Sequence, residues 1–320
     1  MSPDGSLLAT ASEDSSWKMF DASSGRELLA VAGHDGQGAC ICPMDEEGQR
    51  AEVIASCTRN GHARGVIDVA FSPCGQRIAT AGGENEVMIW SAFTGEEELR
   101  LDMPWFKCTS AISVTFSPDA SRIATGSDDE RICVWNARNG ELIHTILHAH
   151  VGSVESLCFS PDGLSLASVG GDDGCGKIWD AASGAPLREL EDKRGDDSAC
   201  VKFAPDGRFL AAGSTAGSVT LWDVATGEEA LCLSAHTGRH GCICTLHFGE
   251  DEEGDMTVVH DAACPHVGHR DPAWSVCFAP DGDALFSSSD DGTVKCWDAA
   301  TGALRRTLVV GAQNQRQLRT

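Results

Sequence analysis

Val154-Glu155-Ser156-Leu157-Cys158-Phe159-Ser160-Pro161-Asp162-Gly163, continuing through Leu166-Ala167-Ser168-Val169 to Trp179-Asp180, is the stretch that decides the fold. Its first six residues read as a short, largely apolar strand. Ser-Pro-Asp-Gly then turns the chain, because proline presets one dihedral and glycine tolerates positive φ. Leu166 to Val169 is a second strand, Gly171-Asp172-Asp173-Gly174 a second tight turn, and Gly176 to Asp180 a third strand. Ser183-Gly184 turns into a fourth at Pro186-Leu187-Arg188-Glu189-Leu190. Short strands joined by glycine-rich hairpins make one antiparallel sheet.

The unit repeats. Ser-Pro-Asp-Gly or a near copy begins at Ser2, Ser72, Ser117, Ser160, Ala204 and Ala279, with three successive spacings of 45, 43 and 44 residues. A period in the low forties closed by Trp-Asp predicts an all-β propeller whose blades are four-stranded sheets. The first and last spacings are 70 and 75 residues, and each long gap hides an incomplete blade. Residues 1–310 therefore read as one propeller domain of about seven or eight blade positions, two of them abbreviated (about 35–60 and 240–267), not fully closed, with a polar tail at 311–320.

The two abbreviated segments share Cys-Ile-Cys (Cys40-Ile41-Cys42, Cys242-Ile243-Cys244), a Glu-Glu-Gly turn and a downstream cysteine, Cys57 or Cys264. Gly38–Cys42 with Glu52–Cys57, and Gly241–Cys244 with Met256–Val259, read as the first two strands of blades lacking their outer two. They are natural two-stranded wedges, blades shortened by a faulty gene model, or part of a longer array duplicated in blocks. The first blade lacks an inner strand, and the expectation favoured here is an incomplete chain.

Fifteen cysteines, with no leader and no apolar run long enough to span a bilayer, point to a reducing intracellular compartment, cytoplasmic or nuclear. Cys133, Cys158, Cys200, Cys277 and Cys296 lie in apolar strand runs and read as small buried residues. Acidic residues number 48 against 24 basic ones, for a net charge of -24. Such a surface lacks the basic footprint that nucleic acids or anionic membranes require, and it favours basic partners or plain solubility.

Phe-Ser-Pro-Asp-Gly followed by Trp-Asp after Asp-Asp-Gly resembles the WD-repeat family of β-propellers, over nearly the whole chain. The resemblance implies a hydrogen-bonded chain of Trp, Ser or Thr, His and Asp in each blade. His150, Ser168, Asp173 and Trp179 match it in full, as do His269, Ser287, Asp291 and Trp297. His62, Thr80 and Trp90 match with Glu84 at the Asp position. The blade of Trp135 keeps Thr125 and Asp129 but has Lys107 for His. The blade of Trp222 has Arg194, Ala212 and Ala216 in place of His, Ser and Asp, and Phe20 replaces Trp in the first blade. The blades of Trp179 and Trp297 are expected to be firmest and those of Phe20 and Trp222 loosest.

The resemblance also implies where partners dock. The propeller mouth carries Ile67, Ile112, Glu155, Ala199 and Trp274, with Asp128, Asp172 and Asp290 beside them. An apolar centre, an anchoring Trp and an acidic rim suit a peptide with a hydrophobic and a basic residue; equally, Trp274 packs between inner strands. The expected function is a non-catalytic protein-interaction scaffold with other proteins, including basic peptides, as partners. The alternative is a substrate receptor of a cullin-type ubiquitin ligase, since Trp135-Asn136-Ala137-Arg138 resembles that group's Trp-Asp-x-Arg box with Arg138 as the contact.

No metal or cofactor is expected. Cysteines at alternate positions of a strand point to one face, which suits two buried thiols better than a zinc knuckle, although His247, His260, Cys264 and His266 lie downstream of the second pair. In the paired aspartates 128–129, 172–173 and 290–291, the second belongs to the tetrad and the first to the rim. No nucleophile accompanies them, so no enzyme is expected.

Overall fold

In the computed structural model the Ser-Pro-Asp-Gly turn is held by its own side chains. Ser160 Oγ donates to Asp162 Oδ1 (2.6 Å), the Gly163 N–H reaches the Ser160 carbonyl (2.8 Å), and Gly163 takes φ 70°. The structure describes residues 1–2, 4–11, 16–32, 40–43, 62, 65–83, 86–103, 110–191, 196–233, 247–250, 256–259 and 268–309.

These turns divide the chain into six four-stranded antiparallel sheets and one two-stranded sheet among the described residues. Blade one holds β1 (Leu7–Ala11), β2 (Trp17–Asp21), β3 (Glu27–Ala32) and β4 (Cys40–Pro43). Blade two is β5 (Val66–Phe71), β6 (Arg77–Gly82), β7 (Glu86–Ser91) and β8 (Glu97–Asp102). Blade three is β9 (Ala111–Phe116), β10 (Arg122–Ser127), β11 (Ile132–Asn136) and β12 (Leu142–Ile146). Blade four is β13 (Val154–Phe159), β14 (Ser165–Gly170), β15 (Cys175–Asp180) and β16 (Pro186–Glu191). Blade five is β17 (Ser198–Phe203), β18 (Phe209–Ser214), β19 (Val219–Asp223) and β20 (Glu229–Leu233). A hairpin, β21 (His247–Glu250) and β22 (Met256–Val259), precedes blade six: β23 (Ala273–Phe278), β24 (Ala284–Ser289), β25 (Thr293–Asp298) and β26 (Leu304–Val309).

The inner strands β5, β9, β13, β17 and β23 pack on one another in that order, and β1 packs on β5. Apolar clusters fill the seams. Trp17 meets Trp90 at 6.0 Å between ring centroids where blade one joins blade two, and Val201, Leu210 and Trp222 meet Ile178 and Leu190 between blades four and five. Polar staples cross the same seams. The Val201 N–H donates to Ser156 Oγ (3.2 Å), Arg77 to the Ala137 carbonyl (2.6 Å), and Arg122 to the carbonyls of Ala181 and Gly163 (2.8 Å each).

Two expectations change here. Blade one lies directly against blade two, and β17 of blade five directly against β23 of blade six, so the seven or eight positions reduce to six among the described residues. The Cys40-Ile41-Cys42 strand is not an inner strand: it pairs antiparallel with β3 (Ala32↔Cys40, Leu29↔Pro43) and forms the outer edge of blade one. An alternating apolar run suits either place. In the second segment, β22 covers the expected Met256–Val259, but it pairs with β21, which ends within the acidic stretch Gly249–Gly254; Gly241–Cys244 and Glu52–Cys57 lie outside the described residues. Blade one has no strand inward of β1 among the described residues, as expected.

Candidate functional site

Near the start of each of β5, β9, β13, β17 and β23 the strand register skips one residue. Val66 pairs with Gly82 and Asp68 with Ala81, skipping Ile67. Ala111 and Ser113 pair with Ser127 and Gly126, skipping Ile112. Glu155, Ala199 and Trp274 are skipped in the same way in β13, β17 and β23. Each of the five expected mouth residues is thus the extra residue of a β-bulge. A bulge bends its strand and re-aims a side chain that the ladder would otherwise fix. Five of them at one end of neighbouring strands make a ring.

The ring is uneven. Ile67 is 43% exposed, while Ile112, Glu155, Ala199 and Trp274 are half-buried. Ser153 Oγ donates to the Glu155 carboxylate, which lies over Gly171. Asp128 and Asp172 are exposed on the rim, and Asp290 is half-buried. Asp128 Oδ1 accepts from the Ser110 N–H (3.0 Å), which anchors that part of the rim to the start of β9.

Further down the channel wall, Asp68 accepts from the N–H groups of Val69 and Val114 (2.8 Å each) and from Ser113 Oγ (3.2 Å). Burial nevertheless pushes its carboxyl up. Burial also raises the thiols of Cys133 and Cys158 to about 11 and of Cys200 to about 12; all three are buried, as expected. Cys296 is only half-buried and Cys277 is exposed, which corrects the reading of that pair as buried. Surrounding protein still pushes the Cys277 thiol up, against the pull of Lys202.

Behind the mouth stand the tetrads. His150 Nδ1 pairs with Asp173 (2.8 Å) and Nε2 with Ser168 Oγ (2.7 Å), which accepts from Trp179 Nε1 (2.8 Å). His269, Asp291, Ser287 and Trp297 repeat this at 3.0, 2.7 and 2.9 Å. Gly170 makes room for it, since a Cβ there would lie 2.6 Å from His150 Cβ. In blade two, His62 meets Thr80 Oγ1 (2.7 Å), which accepts from Trp90 Nε1 (2.8 Å). Glu84, Lys107 and Arg194 lie outside the described residues.

Burial holds the His150 and His269 imidazoles below their ordinary range, against the pull of Asp173 and Asp291. Burial works against the Asp173 carboxylate too, but His150, the Val151 N–H and Lys177 outweigh it and keep it low. The sequence did not flag two members. Met103 Sδ takes the Thr125 hydroxyl (3.6 Å) beneath Trp135, a contact that carries no motif. Thr293 Oγ1 bridges Asp291 (2.6 Å) and His269 Nδ1 (3.2 Å). Asp129 accepts from Ser127 and pairs with Arg131 (3.3 Å).

One set of possible metal ligands occurs among the described residues: His150, Asp173 and Cys175, with ligand atoms within 4.8 Å of one another. Both imidazole nitrogens are already committed, the Lys177 ammonium lies 3.4 Å from Asp173, and burial pushes the Cys175 thiol up to about 12. That chemistry suits a tetrad and not a cation. The downstream Cys264 and His266 lie outside the described residues. Arg138 is exposed at the opposite end from the mouth, on a turn whose Ala137 N–H bonds the Ser121 carbonyl (2.9 Å).

The family model described as "WD domain, G-beta repeat" matches residues 1–21, 55–91, 106–136, 140–180, 184–223 and 262–298, more than half of the chain. The chain is 27% identical to autophagy-related protein 16 of Arabidopsis thaliana, over 49% of this chain and 32% of that protein. It is 31% identical to protein transport protein sec31 of Aspergillus oryzae, over 48% and 13%. With protein groucho of Drosophila melanogaster it is 28% identical, over 41% and 20%. The chain spans a third or less of the length of these relatives.

Proposed function

The chain belongs to the WD40 family of β-propellers, and from that premise we propose that it is a non-catalytic scaffold, in the cytoplasm or nucleus, whose mouth docks a partner protein. The observation that carries this is the set of bulged residues Ile67, Ile112, Glu155, Ala199 and Trp274, each skipped by the ladder at the same end of neighbouring inner strands. Its apolar members supply contact area, and the acidic rim selects a segment with a basic residue. The relatives' names, autophagy-related and protein transport, point to different processes, which fits a shared docking platform with separate partners. The eight free cysteines among the described residues suit a reducing compartment, and no helix there is long and apolar enough to cross a membrane.

The test is quantitative capture of partners by the whole chain and by Trp274→Ala. The variant should keep its unfolding midpoint and lose most of the captured partner. Equal loss of stability from Trp274→Ala and Trp179→Ala would remove the mouth assignment.

A second reading rests on Arg138, whose exposed guanidinium forms no ion pair among the described residues. It would anchor the chain to a cullin-type ligase as a substrate receptor. Arg138→Ala should then abolish co-purification of ligase subunits while Trp274→Ala leaves it intact; the converse pattern removes this reading.

A further inference from the structure

Five apolar clusters join the six blades in sequence order, and among the described residues none joins blade six back to blade one. Blade six nevertheless keeps the register of blade four. Ser287 lies opposite Lys295 and Cys296 opposite Arg306, as Ser168 lies opposite Lys177 and Ile178 opposite Arg188. Equivalent positions can therefore be compared one for one. On the face that blade four turns to blade five, Ala167, Ile178 and Leu190 are at most 3% exposed. Their counterparts on blade six are Phe286 and Cys296, both half-buried, and Leu308, 42% exposed.

The same face carries two polar groups whose counterparts staple blade four to blade five. Ser156 Oγ accepts from the Val201 N–H (3.2 Å), and Arg188 donates to the carbonyls of Ala225 and Thr226 in the outer turn (2.8 and 2.7 Å). On blade six these places hold Ser275 and the exposed Arg306, and neither bonds across a seam among the described residues. The opposing wall is open as well. Leu8 on blade one is 37% exposed and Phe20 half-buried, where Leu210 and Trp222 of blade five are at most 1% exposed. A Cβ on Gly25 would meet nothing within 4 Å, whereas one on its counterpart Gly227 would lie 2.7 Å from Arg188 Cδ.

We propose that this open seam receives one blade-like antiparallel sheet from a partner protein. Its apolar face covers Phe286, Cys296 and Leu308, a backbone N–H reaches Ser275, and its outer-turn carbonyls reach Arg306. The site is separate from the mouth. Removing the apolar wall from water drives the docking, and the charged guanidinium on two carbonyls fixes its register. A second copy of this chain does not fit. Its blade one carries blade two on the far face, Trp17 against Trp90 at 6.0 Å. The rotation that seats the one would drive the other into the first copy's blade one.

The first readout is labelling by N-ethylmaleimide. In the folded whole chain Cys296 should react, while Cys158 and Cys200 should not. A photoreactive phenylalanine analogue at Leu308, irradiated in cells, should then cross-link a β-sheet segment of another protein. That segment, co-expressed with the whole chain, should protect Cys296. Arg306→Ala should weaken its binding about tenfold and leave the unfolding midpoint of the free chain unchanged. The proposal is overturned if Cys296 is as unreactive as Cys158, or if cross-links are absent or confined to copies of this chain. It is equally overturned if the segment leaves Cys296 reactive or binds Arg306→Ala as tightly.

Discussion

Blades four and five share one register, with Leu166 opposite Trp179 and Ser168 opposite Lys177 in one, Leu210 opposite Trp222 and Ala212 opposite Thr220 in the other. Yet they close differently. In blade four a single hydroxyl, Ser168 Oγ, serves both His150 and Trp179. In blade five Ala212 fills that place at 3% exposure, and Ser214 meets Ser218 (2.7 Å) by the turn. Trp222 is nevertheless as buried as its counterpart and packs on Val201 and Leu210. Without a hydroxyl at that place, blade five still buries its tryptophan against apolar neighbours. The tetrad adds a mutual dependence in which each polar group is costly once another is lost.

The largest effects should therefore be alike in the two blades. Trp179→Ala and Trp222→Ala should each cost about 3–5 kcal/mol by urea unfolding, because each empties a buried indole site. A Trp222→Ala cost below half that of Trp179→Ala would mean that packing is not what holds blade five.

Next in size is Ser168→Ala, which strands two buried polar groups and should cost roughly 2–4 kcal/mol. A loss of less than about 1 kcal/mol would reduce the tetrad to decoration.

Acid should separate the blades too. The depressed imidazoles of His150 and His269 stay neutral in the folded chain, while the unfolded chain takes up protons near pH 6.5. Stability is thus full above that pH and falls as the pH drops below it, by at most about 1.4 kcal/mol per histidine per pH unit. His150→Leu should flatten the slope between pH 6.5 and 5.5, and an unchanged slope would contradict the assignment. The smallest change belongs to the mouth. Trp274→Ala should shift stability by less than about 1 kcal/mol, since a half-buried bulge residue leaves the ladder intact.

The blade pattern was legible because Ser-Pro-Asp-Gly and Trp-Asp carry their own geometry. The two complete tetrads and the positions of the mouth ring followed from it. What made those positions special, the bulge, leaves no mark in residue type: isoleucine, glutamate, alanine and tryptophan all occupy it. Cys-Ile-Cys misled because an inner and an outer strand share the same alternation, so only pairing with β3 assigns it to the edge. Met103 was missed because a thioether replacing an imidazole looks like any core residue. Cys277 was misplaced because an exposed position of an inner strand can carry the same residue type as a buried one, as Cys158 and Cys277 do.

The most direct test of the docking face uses a photoreactive phenylalanine analogue placed, one position at a time, at Ala199, Trp274, Phe93 and Arg138 in the whole chain. Phe93 and Arg138 serve as exposed controls on equivalent turns of blades two and three. After irradiation in cells, partner protein should be cross-linked from positions 199 and 274 and not from 93 or 138. Cross-links confined to 93 and 138 would contradict the mouth as the docking site and move it to the opposite end of the propeller.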